Sequence, residues 1–272
     1  MRTLFLLLTP LAALTMWGAD TSQPIVVSAA NAQVGIAPDS LASIYGQQLA
    51  TQTVSAGNPP WPTALGDMPG VSLIDSGGKS WALPLIFVSP TQMNVWLPPG
   101  IATGPGTVQF PFTGLGPGVA AALRIVPVNL QRIAPALFTA NGSGSGVVAA
   151  TAVRVVIPTQ IQAPVPVFTC DKPGSCSAVP IDLGIDTPVY LSLYGTGIRG
   201  WSMRTNVTVT IGVTVTIGTQ TFPAAYAGPQ PAIPGLDQVN VPLSLSLRGA
   251  GLVNVTITVD GVSSNAGQIF IN

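Results

Sequence analysis

The chain has 272 residues, room for one large domain or two of about 100–150 residues. Nine Lys+Arg balance nine acids, all of them Asp, and only 7% of residues are charged, against about 25% in ordinary globular proteins. A neutral chain has no basic field for nucleic acid. One without histidine lacks the usual general base and the commonest metal ligand.

The N-terminus reads MRTLFLLLTPLAALTMWGAD. Arg2 supplies a charged start and the stretch to Ala19 is uncharged, the pattern of a secretory signal peptide over residues 1–19 cut near Gly18 or Ala19. Pro10 and the short apolar run argue against the alternative, an uncleaved anchor. No cysteine lies nearby to take a lipid. The mature chain is therefore expected to be secreted or held at the cell surface, with the periplasm also open, and to carry no membrane span.

Beyond this segment the same order of blocks occurs twice. GIAPDSLASIYG (35–46) matches GIDTPVYLSLYG (184–195) without a gap at an offset of 149. LPLIFVSP (83–90) parallels FPAAYAGP (222–229), and QMNVWLP (92–98) parallels QVNVPL (238–243). Seven extra residues, Gln230 to Leu236, precede the last of these. GTVQFPF (106–112) parallels GLVNVTI (251–257). The spacing predicts an internal duplication with a break near 129.

Each block reads as a strand. In LVNVTITV (252–259), Val253, Val255, Ile257 and Val259 alternate with Asn254, Thr256 and Thr258, and Asp260-Gly261 follows as a hairpin turn. VTVTIG occurs twice in succession over 207–218, and an even repeat keeps every side chain on its face. With 30 Gly and 27 Pro, and no stretch of helical period, the chain predicts an all-β sandwich fold.

Several motifs invite a chemical reading. Gly195-x-Gly197-x-x-Gly200 follows an apolar run, as a dinucleotide-binding turn does. That turn needs a helix next, to hold the pyrophosphate, and an acid about 20 residues on. Here WSMRTNVTVTIG follows and the next acid is Asp237, so the glycines are expected to shape a turn and no nucleotide is expected. NGSGSG (141–146) lacks the Lys-Ser/Thr ending of a phosphate loop and reads as a flexible hairpin tip. Cys170 and Cys176 are the only cysteines; export favours a disulfide between them, and two cysteines alone cannot complete a zinc site.

Without His no ordinary hydrolytic triad can be built. Asp182 and Asp186 read as turn residues rather than a paired-carboxylate site, and Lys79 and Lys172 have no marked serine partner. Asp171, Asp182, Asp186 and Asp260 are oxygen ligands suited to calcium, but no D-x-D-x-D-G run joins them. No catalytic residue, cofactor or metal is therefore expected. The aromatics that could bind are Trp61, Trp81, Trp96 and Trp201. Alternation in MNVWLP turns Trp96 outward, and Trp201 stands beside Arg199 in a loop. Such rings can stack on sugar or anchor a protein contact, or merely cover the edge of their own core.

The long motifs APALFTANGSGSGVVAA (134–150), CSAVPIDLG (176–184), VYLSLYGTGIRG (189–200) and GLDQVNVPLSLSLRGAGLVNVTITVDGVSSN (235–265) point to a family. With VGIAPDSLASIYG and VSPTQMNVWLP in the first half, the chain resembles the uncharacterised C-terminal domain family of secreted acidobacterial proteins, related to IPT/TIG immunoglobulin-like domains. The resemblance implies tandem Ig-like sandwiches, here 24–128 and 129–272, and no catalytic residues. The expected function is a non-catalytic exported module for structure, adhesion or protein interaction, its partner a protein or glycan at the cell surface. The alternative is a carbohydrate-binding module using Trp61, Trp96 or Trp201.

Overall fold

Alternating Val with Thr or Asn forces one face of a strand inward, and the pairing of such strands builds the molecule. The computed structural model describes residues 23–111, 123–157, 159–201, 204–206, 208–210 and 212–272. The expected signal peptide lies outside them. The fold is all-β, and the one helical element among the described residues is a single 3-10 turn at Leu245–Leu247.

The first half contributes β1 (Ile25–Ser28), β2 (Ser40–Tyr45), β3 (Val54–Ser55), β4 (Val71–Ile74), β5 (Ser80–Leu83), β6 (Leu85–Val88), β7 (Gln92–Leu97), β8 (Gly104–Pro111) and β9 (Leu123–Leu130). They form two sheets, β1-β2-β7-β6-β3 and β5-β4-β8-β9. Between the sheets sits one core that includes Ile44, Met93 and Val95 from one sheet and Leu73, Leu83 and Phe110 from the other.

The second half contributes β10 (Ala136–Leu137), β11 (Ala150–Val156), β12 (Ile161–Val165), β13 (Phe168–Lys172), β14 (Ser175–Ala178), β15 (Pro180–Ile181) and β16 (Val189–Thr196). After these come β17 (Arg204–Asn206), β18 (Thr208–Thr210), β19 (Val213–Ile217), β20 (Gln220–Pro223), β21 (Tyr226–Pro229), β22 (Asp237–Leu243), β23 (Gly251–Val259), β24 (Val262–Ser263) and β25 (Gly267–Ile271). Sheets β12-β11-β16-β22-β21 and β15-β25-β23-β19-β20 enclose a second core, with Leu191, Leu193 and Val239 facing Val215, Ile257 and Ile269. The first core ends with Leu130 and the second begins with Ile133, while β9 itself runs two residues past the expected break.

The duplicated blocks pair in the same register. Ser43 lies opposite Asn94 and Tyr45 opposite Gln92 in β2–β7. Ser192 lies opposite Asn240 and Tyr194 opposite Gln238 in β16–β22. A side-chain bond repeats as well: Gln92 Nε2 donates to Asn94 Oδ1 at 2.8 Å, and Gln238 Nε2 to Asn240 Oδ1 at 2.8 Å. Strand β23 buries Val255, Ile257 and Val259 as the alternation requires, and Asp260-Gly261, both at positive φ, closes the turn to β24.

Strands β13 and β14 form a hairpin that has no counterpart among the described residues of the first half. Cys170 and Cys176 are direct cross-strand partners within it and are joined in a disulfide.

Candidate functional site

The three glycines of the dinucleotide-like motif have a purely internal role. A Cβ on Gly195 would lie 2.6 Å from the carbonyl oxygen of Ala136, and one on Gly197 or Gly200 would overlap the carbonyls of Ala134 and Arg132. The backbone of Arg132–Ala136 therefore runs directly against this segment, and only glycine leaves it room. A loop with Trp201, not a helix, follows. The first half makes the same turn with Gln48 at φ +55 where the second has Gly197 at φ +71. The turn itself thus does not require glycine; the close approach does.

This turn positions Arg199. Its Nε donates to Asp237 Oδ1 at 2.5 Å, its Nη1 to Asp39 Oδ2 at 2.5 Å, and its Nη2 to the Leu236 carbonyl at 2.5 Å. One guanidinium therefore joins a carboxylate of the first half to one of the second. Asp237 is fully buried and also accepts the Ile198 N–H at 2.7 Å. Burial pushes the Asp237 pKa up to about 6, against the downward pull of Arg199 and of the Ile198 N–H. For Arg199, desolvation works to lower the pKa, but the two carboxylates outweigh it and the net direction is up.

Around this bridge the halves share further bonds. Thr196 Oγ1 accepts the Leu41 N–H at 2.8 Å and donates to the Gly235 carbonyl at 2.8 Å. A Cβ on Gly235, at φ +76, would come within 2.7 Å of Trp96 Cδ1. The seven extra residues of the second copy are therefore the piece that seats on Trp96 and Leu41 of the first. A third apolar cluster fills the junction, with Leu41 and Ile86 from one half and Phe138, Tyr194 and Leu236 from the other.

The tryptophans sit apart from one another in role. Trp61 and Trp96 both pack on the junction cluster, Trp201 on the second core and Trp81 on the first. Each indole N–H is engaged: Trp61 with the Gly57 carbonyl, Trp96 with Asp39 Oδ1, Trp201 with the Ala227 carbonyl, Trp81 with Asp75 Oδ2. Trp96 faces away from its own core, as the alternation expects, but the sheet face it shares with Asn94 is covered, because the second half packs there. Arg199 and Trp201, neighbours in sequence, do not form one site; Arg199 turns to the carboxylates and Trp201 to the core of its own half.

Three of the remaining sequence candidates, Asp182, Asp260 and Lys79, have local partners. Asp182 Oδ1 accepts the N–H of Gly184 at 2.8 Å, the turn bond expected of it. Asp260 pairs with Arg132 at 2.9 Å. The carboxylate of Asp75 accepts the N–H groups of Gly77, Lys79 and Ala102 besides the Trp81 indole, and Lys79 Nζ stands 3.5 Å from the Trp81 ring centroid. The indole first, then the Ala102 N–H, hold its pKa below the ordinary carboxylate value. NGSGSG is not a free tip: Thr139 Oγ1 accepts the N–H groups of Ser143 and Gly144, and a Cβ on Gly144 would lie 2.8 Å from Asn31 Cα in the first half.

Sequence reading picked out Arg199 and Trp96 but not Asp39, Asp237, Thr196 or Gly235. A partial signal for the charges existed. In the duplicated register Arg199 stands opposite Ala50, Asp237 opposite Thr91, and Asp39 opposite Pro188. All three charges are unmatched in the other copy, but so is the exposed Asp186, opposite Ala37, so only the packing singles out the three that meet. Neither a protein-family model nor a curated protein matches the chain.

Proposed function

We propose that the chain is an exported, non-catalytic module for structure or adhesion, made of two Ig-like sandwiches of the IPT/TIG type over 24–128 and 129–272. The reading takes the signal-like N-terminus as cleaved and the mature chain as secreted or surface-held, facing a protein or glycan partner. The observation that carries it is the Asp39–Arg199–Asp237 bridge. Three of the few charges of the molecule, and the four tryptophans considered for ligand stacking, serve contacts within the chain. They fix one half on the other, which suits a spacer or adhesin that must hold its geometry. A composition without His or Glu supports the absence of catalysis. The Cys170–Cys176 disulfide fits an oxidising compartment.

Expression in an exporting host, followed by fractionation and N-terminal sequencing, tests this. The expected product is a mature chain starting near Asp20, in the medium or on the surface. A cytoplasmic chain still starting at Met1 would refute the reading.

A further inference from the structure

A cleft of about 410 Å³ opens between the two halves, within the range of about 300–1,000 Å³ found for small-ligand sites. Asn31, Gln33 and Val34 line it from the first half, Gln131 from the connection just after β9, and Ser263 and Asn265 from the second. No lining residue is charged. Asn265 is fixed in the wall: its Oδ1 takes the Leu137 N–H at 2.8 Å, and its Nδ2 donates to the carbonyls of Leu137 and Gly144. Asn31 Oδ1 accepts the Gln33 N–H at 3.0 Å and shapes its own loop. The carboxamides of Gln33 and Gln131 differ from these. Both residues are exposed, and among the described residues neither side chain has a hydrogen-bond partner. Val34 is 88% exposed at the same rim.

The chemistry of this lining selects a ligand class. A phosphate or carboxylate entering the cleft would lose water and gain no counter-charge. An apolar ligand would strip water from amides and return no hydrogen bonds. A carboxamide is donor and acceptor at once, and so is a hydroxyl, so a ligand rich in hydroxyls satisfies both Gln33 and Gln131. Val34 adds an apolar contact of the kind offered by the C–H face of a sugar ring. We infer that the cleft between the halves binds a neutral polyhydroxylated chain, a glycan segment, held by the Gln33 and Gln131 carboxamides with Val34 against a ring face. This deepens the adhesion reading and rests on it, and it places the contact away from Trp61, Trp96 and Trp201.

Isothermal titration of the mature chain with cellohexaose, xylohexaose and mannohexaose tests the inference, with hexagalacturonate as the charged control. At least one neutral probe should bind, and the Gln33→Ala/Gln131→Ala double variant should weaken it by about tenfold or more. The double variant should melt with the parent, since both side chains are exposed, so lost binding cannot be lost folding. Trp201→Ala should bind within about twofold of the parent, because a ring outside the cleft carries no hydrogen bond to the ligand. No binding of any neutral probe, binding indifferent to the double variant, or tighter binding of the galacturonate would each overturn the inference. Those failures leave the adhesion reading to the fractionation experiment, which reads out export independently.

Discussion

The β2–β7 pair of the first half and the β16–β22 pair of the second share register, turn and side-chain bonds, yet their outer faces have different fates. In the first, Ser43, Gln92 and Asn94 are buried. In the second, Ser192, Gln238 and Asn240 are only half-buried and Pro242, opposite number to Trp96, is exposed. One copy has this face covered along the pair, while the other is covered only at its Tyr194–Thr196 end, where Leu41 packs, and is left more open over Ser192, Asn240 and Pro242. The difference comes from few residues: Arg199 and Asp237 in place of Ala50 and Thr91, and the seven-residue insert in the second copy only. Two halves with matching strand registers are thus joined through changes at one edge of one of them.

The largest effect should come from the bridge. Arg199→Ala leaves Asp237 buried without its counter-charge and should cost about 3–5 kcal/mol in denaturant unfolding, whereas Ala50→Ser at the matching position should cost under about 1 kcal/mol. Adding Asp237→Asn to Arg199→Ala should recover part of the loss. The same carboxyl carries a pH signature. Its pKa is about 6 folded against 3.8 unfolded, so between those values the folded chain holds a proton that the unfolded chain has released. Its contribution to stability therefore falls as pH rises from about 4 to 6 and is level above that. Asp75, with a lowered pKa, works the other way, and its contribution is lost as pH falls below the unfolded value. Stability curves of the parent and of Asp237→Asn should differ in slope only inside the window from about 4 to 6; parallel curves there would show that Asp237 stays ionised.

Next in size is the close approach at the glycine turn. Gly197→Ala adds both a left-handed strain and an overlap with the Ala134 carbonyl, and should cost about 2–4 kcal/mol. Gln48→Gly at the equivalent turn of the first half should change stability by no more than about 1 kcal/mol. A gain from Gln48→Gly as large as the loss from Gly197→Ala would mean that the turn, not the neighbouring backbone, requires glycine.

Trp96→Ala removes a half-buried ring from the junction and its bond to Asp39, and should cost about 2 kcal/mol. Pro242→Ala, on the open face, should be close to neutral. Thermal unfolding of both variants checks the asymmetry, and a neutral Trp96→Ala would show that the junction cluster adds nothing to stability.

The smallest effect should follow loss of the disulfide. The Cys170→Ser/Cys176→Ser pair opens a short loop on the β13–β14 hairpin at the rim of the second half, and should cost about 2 kcal/mol or less. Hydrogen exchange should speed up in β13 and β14 and stay unchanged in the β2–β7 pair.

Much of the architecture was legible in the residues themselves. Period-two alternation in LVNVTITV fixed which side chains of β23 face the core, because a strand offers only two faces. The repeated blocks set Tyr45 against Tyr194 and Asn94 against Asn240, and the strands that carry them pair alike although the chain between them differs in length, because strands that bury matching faces favour matching register. The cysteine pair and the Asp260-Gly261 turn are local and depend on nothing distant. What alternation could not say is what covers the second face of a strand. It named Trp96 as facing away from its own core, which is correct, but only the packing of the second half on that face turned an outward ring into a buried contact. Likewise the sequence shows Asp39, Arg199 and Asp237 scattered along 272 residues. Their meeting within hydrogen-bond distance depends on how the two halves of the chain are placed, a long-range geometry that no local pattern encodes.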